Sequence, residues 1–141
     1  MVNNYLSSNN LAKYSDLIYS EILTTEEYKN SKLASHTIID RTERFVFYRI
    51  DNLKVANNSI IFTNSLMIEP LFNDLKKIKN IQNIKLITSQ TDRLISERLF
   101  RLKSKSISKW YSVNIGFEDE DLISLPLGLA NEYSPKNLFA K

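Results

Sequence analysis

Short apolar runs alternate with longer amphipathic segments from residue 45 onward, and this alternation restricts the fold more than any other feature of the sequence. The runs are rich in β-branched and aromatic residues, which predicts strands. The segment 66–78 instead has apolar residues at helical spacing, which predicts a helix with Pro70 in its first turn. The predicted strands are residues 45–50, 59–63, 83–89, 107–115 and 122–125.

Strands joined by amphipathic crossover helices form a sheet with helices packed on it. We therefore predict an α/β fold, a Rossmann-like parallel or mixed sheet flanked by helices. A second helix is expected after the strand at 83–89, with Thr91 or Asp92 as its N-cap. The apolar face of that helix would consist of Leu94, Ile95, Leu99 and Leu102.

The beginning of the chain is less regular than the rest. Residues 1–14 are polar and rich in Asn and Ser, so we expect a poorly ordered segment there. The length of 141 residues suits one domain, which we place over residues 15–141. Two interpretations of the next stretch stay open. It is either a short helix capped near Thr25, or a strand over residues 17–20 followed by that helix.

The composition excludes several kinds of site. The chain has no cysteine, which excludes disulfides, thiolate metal sites and a cysteine nucleophile. Its two glycines, Gly116 and Gly128, cannot form the glycine-rich loops that bind NAD or ATP phosphates. The single histidine, His36, is interpreted as a surface or structural residue. No signal-peptide pattern and no apolar stretch near the ~20 residues of a membrane span are present, so we expect a cytoplasmic protein.

The charged residues are unevenly distributed, although the net charge is only +3. Residues 93–109, which we call the basic strip, contain six basic side chains and one acidic side chain, Glu97. The strip is either a solvated surface or a patch that faces phosphate. The four acidic residues 118–121 contain a D-x-D pattern that can hold a divalent metal, but we interpret them as a solvated turn and expect no metal site.

Polar residues follow three successive predicted strands at their carboxyl ends, where ligands bind in open α/β sheets. Ser89 and Asp92 follow the first of these strands, Asn114 lies near the end of the second, and Asn131 comes after the third. Asp92 is either an ordinary helix N-cap or, together with Arg93, part of an anion site at the helix N-terminus. Because these side chains follow successive strands, we expect them to converge along one edge of the sheet.

Three pieces of the second half follow one another in an order similar to that of a known family. They are residues 86–92 (LITSQTD), 108–114 (SKWYSVN) and 123–131 (ISLPLGLAN). The first is similar to an apolar strand that ends in a Ser-Asp-type turn, and the second to an aromatic strand that ends in Asn. The third is similar to a Pro-[IL]-Gly-[IL]-Ala-Asn signature and is the most specific. Residues 84–138 thereby resemble exostosin-like glycosyltransferases.

The resemblance implies a two-domain transferase of the GT-B type, which moves a sugar from a nucleotide-sugar donor to a hydroxyl acceptor. The chain would correspond to the N-terminal half and could be inactive alone. The implied partners are the donor, a carbohydrate acceptor, and a missing second domain or a second copy of the chain. No permanently bound cofactor is expected. Asp92 would be the catalytic base, and the substrate-binding residues would be Ser89, Arg93, Asn114, Gly128 and Asn131.

A second hypothesis comes from a different functional class. The chain could be a non-catalytic α/β module that contacts protein or nucleic acid through the basic strip. The small net charge argues against nucleic acid as that partner. The fold alone does not choose between the two hypotheses.

Overall fold

The computed structural model describes residues 8–126, which form a seven-stranded sheet with helices on both faces. Most elements are short, and a single 3₁₀ turn over Ser65–Met67 leads into the longest helix. The helices are α1 (Ser8–Tyr14), α2 (Thr25–Asn30), α3 (Ile68–Lys77) and α4 (Glu97–Arg101). The strands are β1 (Leu17–Thr24), β2 (His36–Arg41), β3 (Phe45–Ile50), β4 (Ile60–Asn64), β5 (Ile84–Ser89), β6 (Ile107–Ser112) and β7 (Leu122–Ser124).

The sheet is mixed, with the strand order β2-β3-β1-β4-β5-β6-β7. Strands β1, β4, β5, β6 and β7 run parallel to one another, while β3 is antiparallel to both β1 and β2. This is the α/β fold with a Rossmann-like sheet that the alternation of elements predicts. Because β3 is antiparallel to both of its neighbours, β2 runs in the same direction as these five strands. The carboxyl ends of the six strands therefore lie at a single edge of the sheet, which we call the carboxyl edge.

Helices α3 and α4 cover the same face of the sheet. Trp110 on β6 is fully buried, and its ring packs edge-on against Phe72 of α3 and stacks with Phe100 of α4. Its indole nitrogen donates a hydrogen bond of 2.9 Å to the Thr88 hydroxyl on β5. Tyr19 of β1 reaches the same helical layer, because its hydroxyl donates to Asp74 of α3 at 2.7 Å.

Strand β1 and helix α2 are joined by a capping box, which decides between the two interpretations of the segment after residue 14. Thr24 ends β1 and caps α2, since its hydroxyl accepts from the Glu27 amide while the Glu27 carboxylate accepts from the Thr24 amide. The interpretation of a strand followed by a helix is therefore right. Within the segment 1–14 that we expected to be poorly ordered, residues 8–14 form α1, and Ala12 is buried.

Two features of the fold differ from the sequence-based expectation. The exposed strand β2 was not expected, because its side chains show no alternation; it forms by pairing with β3. The second predicted helix begins at Glu97 and is capped by Ser96, so the prediction of Thr91 or Asp92 as its cap is wrong. Ile95, just before it, is outside the helix and forms a bridge to the segment after β6, through backbone hydrogen bonds to Asn114 and Gly116.

Replacing Trp110 with Phe should destabilise the fold by about 2–3 kcal/mol. The change removes a buried hydrogen bond to Thr88 and leaves unfilled volume between α3 and α4. Urea unfolding followed by circular dichroism measures the difference. Tyr111→Phe, at the neighbouring half-buried position, is the matched control and should cost less than about 1 kcal/mol. Equal costs at the two positions would contradict the packing described.

Candidate functional site

The carboxyl ends of β4 and β5 are tied together by short polar side chains. The Asn64 side chain accepts from the Leu66 amide at 2.9 Å, and the Ser65 hydroxyl donates to the Ser89 carbonyl at 3.0 Å. Asn64, Ser65 and Ser89 are all buried. These bonds fix where the chain leaves the two central strands, so the loops that follow start from a rigid base.

Gln90 joins β5 to β1 across this edge. The last pair between β1 and β4 is Ser20 with Thr63, so no backbone of β4 pairs with Ile22. The Gln90 side chain takes that place: its oxygen accepts from the Ile22 amide at 2.8 Å, and its nitrogen donates to the Ile22 carbonyl at 3.2 Å. Gln90 is 5% exposed and has a φ of 71°, so the chain turns sharply after β5.

The connections after β1 and β4 leave toward opposite faces of the sheet. Helix α2 follows β1, and its side chains line a cleft together with Glu21 of β1 on one face of the sheet. Helix α3 follows β4 and contacts Tyr19 of β1 from the other face. Neighbouring parallel strands with such diverging connections form the crevice in which open α/β sheets bind ligands. In this chain the Gln90 side chain fills the crevice between β1 and β4.

Asp92 and Asn114 come together at the carboxyl edge, as the sequence predicts. The Asn114 side-chain nitrogen donates to the Asp92 carbonyl, and both residues are exposed. Asn114 has a φ of 61°, which turns the chain away from β6 and directs the amide toward the loop after β5. Since α4 begins only at Glu97, both alternatives for Asp92 are wrong: it is neither a helix N-cap nor part of an anion site at a helix N-terminus.

Arg93 is engaged in an ion pair within the protein. Its guanidinium binds both carboxylate oxygens of Glu69 in the first turn of α3 and also donates to the Ser65 carbonyl at 3.2 Å. Hydrogen bonding to Arg93 holds the pKa of the Glu69 carboxyl below its usual range. The positive charge of Arg93 is therefore balanced locally, and its position fixes the loop after β5 against α3. The remaining expected site residues, Gly128 and Asn131, lie outside the described residues.

The basic strip is also paired with nearby acids. Besides Arg93, Arg101 binds Glu97, and Lys109 binds Asp121 at 2.7 Å. The Lys103 ammonium lies 5.0 Å from the centre of the Phe100 ring. Glu97 belongs to the strip itself, so the acids that the fold adds are Glu69 and Asp121, and they lower the excess of positive charge in the strip from five to three. The acidic run 118–121 contributes Asp121 to this pairing. Within residues 8–126 no group of three or more metal-ligating side chains is close enough to hold an ion.

Comparison with protein-family models, curated protein sequences and solved structures gave no significant match. None of the helices within residues 8–126 is long and apolar enough to cross a membrane.

Glu21 on β1 is a buried ionisable residue that the sequence analysis did not single out. Its side chain is 6% exposed and accepts a hydrogen bond of 3.0 Å from the hydroxyl of Tyr48, its cross-strand neighbour. Burial raises the pKa of the Glu21 carboxyl to about 7, and the negative charge of Glu27 adds to the effect. The available signal was a single charged residue inside the apolar run LIYSEILT. Such a residue must be either solvated or held by partners.

Replacing Gln90 with Met should cost about 2–4 kcal/mol of stability. Methionine has a similar size but cannot pair with the Ile22 amide and carbonyl, which would stay buried and unpaired. Hydrogen exchange at the Ile22 amide should accelerate more than at neighbouring amides of β1. Gln82→Met, at an exposed position, is the control and should leave stability within about 0.5 kcal/mol. An unchanged Ile22 exchange rate would contradict the role given to Gln90.

The buried Glu21 should make stability fall as the pH rises. Its pKa is raised from 4.5 to about 7 in the folded chain, so the folded state binds more protons between these values. Its contribution is complete below pH 4.5 and is lost as the pH rises through 7, by up to about 3 kcal/mol. Glu21→Gln should remove this dependence, which chemical denaturation of both proteins from pH 4 to 8 measures. The exposed Glu43→Gln is the control, and a pH-independent difference between wild type and Glu21→Gln would refute the assignment.

Proposed function

We propose that this chain is a glycosyltransferase-like domain, the N-terminal half of a nucleotide-sugar-dependent transferase that acts on a hydroxyl acceptor. One observation carries the proposal: Asp92 and Asn114 come from different strands and meet at the carboxyl edge, joined by a hydrogen bond. The ordered pieces at 86–92, 108–114 and 123–131, which resemble exostosin-like glycosyltransferases, support it. The first two pieces correspond closely to β5 and β6 with the turns that follow them.

Asp92 is the proposed catalytic base. Its exposed carboxylate would take the proton of the acceptor hydroxyl while that oxygen bonds to the anomeric carbon of the donor. The bond from the anomeric carbon to the nucleoside diphosphate breaks in the same step, and the diphosphate leaves with the electron pair. Asn114 holds the loop that carries Asp92, and its amide oxygen is the group offered to substrate hydroxyls.

The other expected residues take different parts in the proposal. Ser89 is buried and Arg93 is paired with Glu69. Both would therefore shape the carboxyl edge, and Arg93 would not supply an unpaired positive charge to the donor. Gly128 and Asn131 belong to the proposal through the signature at 123–131 alone. The nucleotide sugar is a substrate, no permanently bound cofactor is invoked, and a cytoplasmic location belongs to the same proposal.

The nucleotide would be held mainly by a second domain in this architecture. The proposal therefore includes a partner domain or self-association, and it allows for a chain that binds substrate without turning it over. The competing idea of a module that binds through the basic strip is less well supported. Three of its cations are already paired with Glu69, Glu97 and Asp121.

A screen of UDP-sugars, GDP-sugars and simple glycans by thermal shift and amide NMR tests the proposal. A ligand should raise the melting temperature and shift the resonances of residues 89–93 and 114. Asp92→Ala and Asn114→Ala should each weaken that binding at least about tenfold, or ~1.4 kcal/mol, because they remove the proposed contacts. Glu120→Ala, at an exposed acid in the loop before β7, is the matched control. No response to any donor or glycan, or equal binding by Asp92→Ala, would overturn the assignment.

A further inference from the structure

A separate cleft lies beside β1, between α1 and α2, with a volume of about 430 Å³. It is distinct from the part of the carboxyl edge at Asp92 and Asn114, because its walls come from α1, β1, α2 and the residues after α2. Three apolar side chains form part of the wall, namely Ile18, Leu23 and Leu33. The cleft is therefore large enough for a small organic molecule and offers it both apolar and charged surfaces.

Glu21 is the buried polar group of this cleft. One carboxylate oxygen accepts from the Tyr48 hydroxyl at 3.0 Å, and the side chain borders the cleft while being 6% exposed. Tyr48 itself is fully buried, and burial next to Glu21 raises its pKa, so it stays a hydrogen-bond donor. The Glu21 side chain is thus held in one orientation by a partner that does not titrate in the physiological range.

The charges around Glu21 favour a cationic ligand. Glu26 and Glu27 of α2 border the same cleft, and among the described residues of its wall the one basic side chain is Lys13 of α1. Tyr48 of β3 is the titratable group that faces Glu21 from the neighbouring strand. Ionised, the three carboxylates outnumber the single ammonium. Within residues 8–126 no three ligating side chains lie close enough to hold a metal ion. An organic ammonium ion would complement the negative charge with a single hydrogen-bonded contact.

We propose that this cleft binds a small alkylammonium ion, with the ammonium group at Glu21 and the alkyl chain against Ile18, Leu23 and Leu33. The ammonium would donate to the carboxylate and balance its charge in a position shielded from water. Hydrophobic contact with the three aliphatic side chains would orient the chain of the ligand. This site is independent of the transferase proposal and uses none of its residues.

Amide NMR titrations at pH 8 with n-butylamine, 1-butanol and butyrate test the proposal on the intact chain. These probes have similar alkyl chains but carry a positive charge, no charge and a negative charge. Butylammonium should shift the amides of β1 and α2 and bind at least about tenfold more tightly than butanol, while butyrate should not bind. Its affinity should fall at pH 5, where Glu21 is protonated. Equal affinity for butanol and butylammonium, or no saturable binding below about 10 mM, would overturn the proposal.

Two variants separate charge recognition from general effects on the fold. Glu21→Gln keeps the shape and the Tyr48 contact, and it should weaken butylammonium binding at least about tenfold. Lys13→Met removes the competing ammonium and should strengthen binding about two- to fivefold. Glu43→Gln, an exposed acid outside the cleft, should change nothing. If Lys13→Met weakens binding, the charge argument is wrong even where Glu21→Gln does not fold.

Discussion

The two hydrogen bonds between the Gln90 side chain and the backbone of Ile22 are the interaction on which the carboxyl edge depends. Regular pairing between β1 and β4 ends at Ser20 and Thr63, so the next part of β1 would otherwise have a buried amide and carbonyl without partners. A buried unpaired backbone group is costly, and a side-chain amide can satisfy both groups because it supplies a donor and an acceptor on separate atoms. Because Gln90 is anchored to β1, the loop that carries Asp92 starts from a fixed point.

Charge pairing in space changes the meaning of charge runs in the sequence. The basic strip has a local excess of positive charge along the chain, but the fold brings Glu69 to Arg93 and Asp121 to Lys109. Partners 24 residues apart in one case and 12 in the other are invisible to a window along the sequence. Lys109 and Asp121 thus join the strip to the acidic run, whereas Arg93 is held by α3. Surface ion pairs of this kind orient loops more than they stabilise the fold.

Periodicity predicted most of the sheet, because β3, β4, β5, β6 and β7 are apolar runs whose burial follows from their composition. It failed where tertiary pairing decides the structure. Strand β2 is almost entirely exposed and forms by pairing with β3. Residues 91–95 lie outside α4, and Ile95 instead pairs with the backbone of Asn114 and Gly116. The convergence of Asp92 and Asn114 followed from the parallel topology. The pairing of Arg93 and the burial of Glu21 did not, because both depend on the packing of side chains from distant segments.

The turns at the carboxyl edge suit hydroxyl recognition better than phosphate binding. Positive φ values within residues 8–126 fall at Asn58, Asn80, Asn83, Gln90 and Asn114, where glycine would be the conformationally simplest choice. A glycine-rich turn presents bare amides that a pyrophosphate can approach closely. Here Gln90 and Asn114 fill the same space with side-chain amides, one used to join β1 and the other to hold the Asp92 loop. In a transferase built on this sheet, the diphosphate would therefore need binding groups from another domain, and the edge described would face the acceptor.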